Sequence, residues 1–372
     1  MTNQQLLEKA DLVVERLMNL GGCDYEKDKT VDQEDTKKGI VQRDFGIEEW
    51  DWPQGIGLYG LYKLQEYYGD SRYLDFFKNW FDHNKEIGLP SKNVNTTAPF
   101  LPLIHLIEDL NTPEYWEELC ASHADWLIHD LPKTEEGGFQ HVVSAIGNRN
   151  GVALHHGQIW VDTLVMAVLF LNQAGRKYNK PEWEAEAVHQ FLLHIKYLYD
   201  KQTGLFCHGW SFDRNDNFGG IFWCRGNSWF TYGVMDYIDT CSTDINEGLK
   251  DFLIDTYKAQ VKALIPLQAP SGLWHTVLTD ETSYEEVSGS AAIAAGILKG
   301  IKAGVLDESF RPAADKAIEA VCENIAEDGT VLNVSAGTGM GMDEEHYKNI
   351  TIRPMAYGQA LVLLALCEAL VG

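Results

Sequence analysis

The sequence predicts an all-α fold, an (α/α)6 barrel in which about twelve helices form two concentric rings. Three observations predict it. Apolar residues three and four apart recur in about twelve segments separated by turn-rich stretches. Those segments alternate between a charge-mixed and a nearly all-apolar character, as outer and inner helices would. A short glycine-led signature recurs at the joints between them.

The segments begin near Leu6, Pro53, Arg72, Thr96, Pro113, Gln158, Pro181, Asn227, Glu247, Ser288, Phe310 and Met355. Glu182 to Tyr199 and Glu247 to Leu264 carry charges throughout, which suits helices with one face in water. Ile159 to Leu171, Ser288 to Ile301 and Ala356 to Leu370 are apolar on all sides, which marks buried helices. The inner starts lie mostly about 60 to 70 residues apart, a loose repeat longer and less uniform than that of a solenoid. Gly204 to His208 resembles Gly272 to His275, with weaker copies at Gly138 to His141 and Gly329 to Asn333. Each copy follows an outer helix and precedes an inner one. A toroid can hold 372 residues around one core, so residues 1–372 are expected to form a single catalytic domain.

Composition narrows the function. Thirty basic against 55 acidic residues give a formal charge of −25, which repels nucleic acid and anionic membranes. No apolar run is long enough to span a bilayer, and the Met1 to Leu20 stretch lacks an export signal. Seven cysteines without close pairs suit reduced, buried thiols, so a cytoplasmic location is expected. Asn95, Thr96 and Thr97 match a glycosylation acceptor that carries no meaning in that compartment. No His or Cys spacing matches a metal site, and the Gly337, Gly339 and Gly341 loop lacks the strand and Lys of a phosphate loop. No metal is expected.

Parallel inner helices would gather their amino termini at one mouth, where unpaired N–H groups favour an anion. The residues at those starts are Trp50, Trp52, Asn93, Asn95, Trp160, Asp162, Arg225, Asn227, Trp229, Ser288, Arg353 and Tyr357. Aromatic faces interleaved with hydrogen-bonding groups suit sugar rings. Asp162 stands at the head of an apolar helix, either as a first-turn acid serving its own helix or as a carboxyl whose raised pKa lets it donate a proton. Arg225 and Trp229 share a helix face, so the guanidinium either grips a substrate carboxylate or pairs with a nearby acid. His141, His208 and His275 sit in the repeated signature, as structural histidines or as mouth residues. Glu285 and Glu286 precede Ser288, one a helix-start acid and the other a possible second site carboxylate. The polar stretch from Gly21 to Glu49 has the length of a lid.

Several of these pieces occur together in one known family. Asn93-Val-Asn-Thr-Thr-Ala-Pro99, Trp160-Val-Asp-Thr-Leu164, His208-Gly-Trp210, Arg225-Gly-Asn227 with Trp229, Glu286-Val-Ser-Gly-Ser-Ala291 and Arg353-Pro-Met-Ala-Tyr-Gly358 resemble glycoside hydrolase family 105, the unsaturated rhamnogalacturonyl hydrolases. The resemblance runs from about residue 50 to the carboxyl end. It implies an (α/α)6 barrel, no cofactor, and an acidic oligosaccharide substrate ending in 4,5-unsaturated galacturonic acid. It also implies Asp162 as general acid and base, with Trp160, His208, Arg225 and Trp229 lining the subsite. A second polar position, sometimes acidic in related enzymes, falls near Asn93 or Asn95, and an amide there argues against a two-carboxylate mechanism. The expected substrate contacts are Trp52, Asn93, Asn95, His141, Trp160, His208, Arg225, Trp229 and Ser288 around Asp162. Four competing readings stay open: an unsaturated glucuronyl hydrolase acting on glycosaminoglycan fragments, a two-carboxylate glycosidase using Glu285 or Glu286, a sugar epimerase shuttling protons between two of the three histidines, and a binding scaffold without catalysis.

Overall fold

The computed structural model describes residues 1–21, 46–145, 148–241 and 245–371. Its outer helices are α1 (Asn3–Met18), α3 (Leu74–Ile87), α6 (Pro113–His129), α8 (Pro181–Leu198), α10 (Glu247–Leu264) and α12 (Arg311–Glu323). Between them run the inner helices α2 (Trp52–Tyr68), the broken pair α4 (Val94–Thr97) and α5 (Phe100–Leu106), α7 (Leu169–Lys177), α9 (Cys224–Thr240), α11 (Val287–Lys302) and α14 (Ala356–Val371). This is the double ring that the alternation predicts. Each predicted start lies within a few residues of a helix start, except the one at Gln158.

The two rings differ in how much of each helix is hidden. Along α3 only Phe77, Trp80, Phe81 and Asn84 are buried, so one stripe holds it to the inner ring. By contrast α11 is buried continuously from Val287 to Ile301, and α14 from Ala356 to Cys367. Removing such apolar faces from water is worth about 25 cal/mol per Å² and is the main force closing the barrel. The ring shuts where α2 meets α14. There a methyl group on Gly60 would stand 2.8 Å from the Ala360 carbonyl oxygen and 3.1 Å from its Cα. Both atoms are backbone and cannot step aside. Gly60→Ala is therefore expected to lower stability by about 1–3 kcal/mol, read as a shifted urea midpoint, and an unchanged midpoint would place the closure elsewhere.

At the carboxyl ends of the inner helices a buried ion pair links three of them. Lys299 Nζ lies 2.8 Å from Asp236 Oδ1, and Tyr59 donates to Asp236 Oδ2 at 2.7 Å. Every partner in this cluster is satisfied, so it acts as a structural tie.

Short strands decorate the other end. A hairpin pairs β1 (Val142–Ala145) with β2 (Asn148–Leu154), with a bulge between Ser144 and Ala145. β3 (Gln158–Trp160) pairs with β4 (Gly209–Ser211), and β5 (Trp274–His275) with β6 (Glu285–Glu286). The stretch expected to start a helix at Gln158 is thus strand through Trp160. A short apolar run cannot be told from a helix by periodicity alone, and pairing with Gly209–Ser211 decides it. A π-helical turn, Leu164–Val168, then leads into α7. Such wide turns are uncommon and occur often at functional sites.

No helix among the described residues is long and apolar enough to cross a membrane. Cys120, Cys207, Cys224, Cys241, Cys322 and Cys367 are free and buried, as expected of reduced thiols, while Cys23 and most of the expected lid, residues 22–45, lie outside the described residues.

Candidate active site

The amino ends of the inner helices surround a cavity of about 350 Å³. Asp51 and Trp52 enter it from the head of α2, Asn95 from α4, Asp162 and Met166 from the turn before α7, and Trp223 and Arg225 from the head of α9. The bulged hairpin forms a wall with Val143, Ser144, Ala145 and Ala153, and the glycine-rich loop contributes Gly337 to Gly339. His141, His155 and Trp160 complete the aromatic part of the lining.

Asp162 precedes the π-turn, its backbone carbonyl accepting from Val165 and Met166. Its side chain is 16% exposed. Trp229 donates its indole N–H to Oδ1 at 3.1 Å, and His208 Nε2 stands 3.2 Å from Oδ2. Burial pushes the carboxyl up, but His208 beside it pulls it down by more, leaving it below the usual carboxylate range. The sequence-based expectation was a raised value. The correction has a physical cause, since the apolar helix that suggested desolvation lies behind a carboxylate whose immediate neighbours are donors.

His141 stacks on Trp160 with ring centroids 4.0 Å apart, and its Nδ1 lies 3.2 Å from Thr163 Oγ1. Complete burial holds its imidazole well below the ordinary value, so it is neutral. Trp52 stacks on Tyr357 at 4.5 Å, giving a flat apolar face beside the acid.

Arg225 is fully buried and departs from the expected open fork. Its Nη1 donates to the Ser335 carbonyl at 2.9 Å, its Nη2 to the Ala336 carbonyl at 2.9 Å, and Nη1 lies 3.8 Å from Glu286 Oε1. The guanidinium sits against Trp223 and Tyr357, 4.5 and 4.8 Å from their ring centroids. Its Nε–H remains without a protein partner. The pairing of this Arg with a nearby acid is the reading the geometry favours, with one donor left over.

Other expected contacts are structural. Asn93 is the buried cap of α4, its Oδ1 accepting from the Asn95 and Thr96 amides. Ser288 is fully buried and donates to Glu286 Oε1 at 2.6 Å. Glu286 caps α11 and also accepts from Gly289 N and Ser335 N, so its oxygens are committed. Asn227 exchanges hydrogen bonds with the Phe206 backbone, and Trp50 is packed between Trp80 and Trp116. None of these lines the cavity. Trp229 stands behind Asp162 rather than on the wall, as its bond to Oδ1 and the absence of its ring from the lining show. His275 bonds to the Ser283 carbonyl on its own hairpin and does not line the cavity, which leaves His141 and His208 as the one pair the epimerase reading could use.

Sequence reasoning missed Asp51, Trp223, Thr338 and the hairpin wall. Asp51 accepts from Trp52 N at 2.7 Å and from Ser144 Oγ at 2.6 Å. An Asp just before Trp-Pro at a helix start is a legible capping signal. The hairpin carries no such signal.

Glycosyl Hydrolase Family 88 matches residues 25–371 of the chain. The chain belongs to that family. It is 32% identical to the unsaturated rhamnogalacturonyl hydrolase YesR of Bacillus subtilis over 89% of this chain and 93% of the relative. Among solved structures, a possible member of the GH105 family from Salmonella enterica superposes with a TM-score of 0.87 at 36% identity, covering 100% of this chain and 95% of that one. A possible member of the same family from Klebsiella pneumoniae gives 0.88 at 35%, covering 100% and 94%. The fold is an (α/α)6 barrel, and the family member is a glycoside hydrolase, as the sequence motifs imply.

Proposed function

We propose that this glycoside hydrolase removes a terminal 4,5-unsaturated galacturonic acid from the oligosaccharides that pectin lyases leave, by hydrating the double bond, and that the chain acts as one catalytic domain in the cytoplasm. The observation that carries the reading is a mostly buried carboxyl, Asp162, beside Trp52, Trp160 and His141 in a cavity sized for a sugar ring, while the other lining carboxyl, Asp51, accepts from Trp52 N and Ser144 Oγ. The names of the relatives point to the same substrate class.

One carboxyl suffices for this chemistry. Asp162 gives a proton to C4, and the positive charge forms at C5, shared with the ring oxygen. Water adds to C5 while the ionised Asp162 takes back a proton. The hemiketal then opens at the C5–O5 bond, O5 becomes the aldehyde oxygen at C1, and the remaining saccharide leaves with its glycosidic oxygen. Ordinary retaining or inverting hydrolysis needs two carboxyls facing C1. Glu286 is occupied as a cap, Asp51 accepts from Trp52 N and Ser144 Oγ, and the lining residue Asn95 is an amide.

Asp162 must be protonated to begin, yet its protein neighbours favour the ionised form. Binding supplies the difference. A substrate carboxylate placed nearby and the exclusion of water both favour the neutral acid. The Arg225 Nε–H is the donor that the substrate carboxylate would take up. Because kcat/KM follows the free enzyme and kcat the complex, kcat/KM is expected to fall as pH rises from about 4 to 7 while kcat stays level to higher pH. Initial rates across that range check it. A kcat/KM that climbs with pH would instead make Asp162 a base in the first step.

Turnover of a panel of lyase-generated disaccharides, followed by loss of the ultraviolet absorbance of the conjugated enol acid, tests the substrate. Unsaturated rhamnogalacturonan disaccharide is expected to be consumed and glycosaminoglycan disaccharides to persist. The reverse preference overturns the pectin assignment.

A further inference from the structure

The imidazole of His208, which faces the proposed acid, is itself held by a residue that the reaction scheme leaves unused. His208 is 2% exposed and stands between Asp162 and Tyr347. Its Nε2 lies 3.2 Å from Asp162 Oδ2, and its Nδ1 lies 2.8 Å from Tyr347 Oη. Tyr347 comes from α13 (Glu344–Lys348), a short helix placed after the glycine-rich loop.

The proton positions follow from counting donors. The Gly341 amide donates to Tyr347 Oη at 3.2 Å, which uses a lone pair of the phenol oxygen and leaves its O–H to be given away. Two acceptors are in reach, His208 Nδ1 at 2.8 Å and Met340 Sδ at 3.8 Å. An imidazole nitrogen is the stronger acceptor and the nearer one, so the phenol bonds to it. Burial keeps the phenol protonated. With Nδ1 accepting, the imidazole carries its proton on Nε2, toward Asp162. The opposite tautomer would set a lone pair 3.2 Å from a carboxylate oxygen, which is repulsive.

We infer that Tyr347 is a positioning residue of the active site: its hydroxyl fixes the ring plane and tautomer of His208 beside Asp162 Oδ2, and its bond to Gly341 ties the cavity's glycine-rich wall to the same unit. The inference rests on the reading of Asp162 as the reacting acid. The support for Tyr347 is rigid. The Tyr284 hydroxyl donates to the Tyr347 carbonyl at 3.2 Å, Lys348 pairs with Asp280, and His346 Nε2 lies 2.7 Å from Thr338 Oγ1, on the wall itself. Trp223 packs on both rings, 4.5 Å from His208 and 5.8 Å from Tyr347. Trp229 donates to Oδ1, and His208 Nε2 stands 3.2 Å from Oδ2 without the alignment of a hydrogen bond, so the setting of the imidazole decides what that oxygen meets.

A double-mutant cycle tests this. Tyr347→Phe keeps the packing and removes only the hydroxyl, so kcat on the unsaturated disaccharide is expected to fall roughly tenfold with KM little changed. Against a His208→Gln background the same substitution is expected to have no further effect. A loss that persists in that background assigns Tyr347 to the loop alone and overturns the inference. A second readout needs neither substrate nor the double variant. In protein labelled with 15N-histidine, the His208 Nδ1 resonance, assigned by its loss in His208→Gln, is expected to move in Tyr347→Phe. An unmoved resonance refutes the contact. If the wild-type protein turns over no unsaturated sugar while the resonance moves, the substrate reading fails and the Tyr347 to His208 coupling stands.

Discussion

Replacing Asp162 by Asn is expected to abolish turnover of the unsaturated disaccharide, by roughly 10²–10⁴-fold or more in kcat, the range that a positioned acid contributes. The fold is expected to survive. The amide oxygen still accepts from the Trp229 indole, and the backbone of the π-turn is untouched. The loss would therefore appear as persistent ultraviolet absorbance in a protein whose thermal unfolding is nearly that of the parent. Activity within tenfold of wild type would remove Asp162 from the chemistry and leave it as a first-turn acid serving its own helix.

The second large effect concerns stability. Glu286 accepts from Ser288 N, Ser288 Oγ, Gly289 N and Ser335 N, and it is the buried carboxylate facing Arg225. Glu286→Ala removes a helix cap worth about 1 kcal/mol. It also strands a buried cation, a loss of about 3–5 kcal/mol for a broken buried pair. Urea denaturation is expected to show a midpoint lowered to match. Glu285→Ala, one residue away on a partly exposed edge, is expected to change stability by less than about 1 kcal/mol. A stable but inactive Glu286→Ala variant would instead make Glu286 the second acid of a two-carboxylate hydrolase.

The barrel was legible because its signal is repeated. Six alternations of a one-sided helix with an all-apolar one leave little choice of architecture, and helices such as Pro113–His129, Pro181–Leu198 and Glu247–Leu264 begin at the predicted residues. The site was legible only in part. Asp162, Trp52, Asn95, His141 and Trp160 line the cavity, each of them next to the start of an inner helix or in the glycine-led signature that precedes one. Asn93, Asn227 and Ser288 occupy equivalent sequence positions, yet Asn93 and Asn227 turn back to bond with neighbouring backbone and Ser288 gives its hydroxyl to Glu286. Small polar side chains at helix starts serve caps and sites alike, and only the direction of the side chain separates the two. Trp50 and Trp52 make the same point. Two sequence steps separate Trp50, in a cluster with Trp80 and Trp116, from Trp52, which faces the cavity. The hairpin wall and the Tyr347 contact depend on residues far apart in the chain, so no local pattern announces them.

Everything in the proposed mechanism requires that addition of water to the double bond precede release of the saccharide. The most direct test records both in one reaction, absorbance of the enol acid and appearance of the free saccharide, from the first turnovers onward. The account predicts that absorbance is lost before or together with saccharide release. Saccharide appearing while the absorbance is still intact would mean direct displacement at C1, and would contradict it.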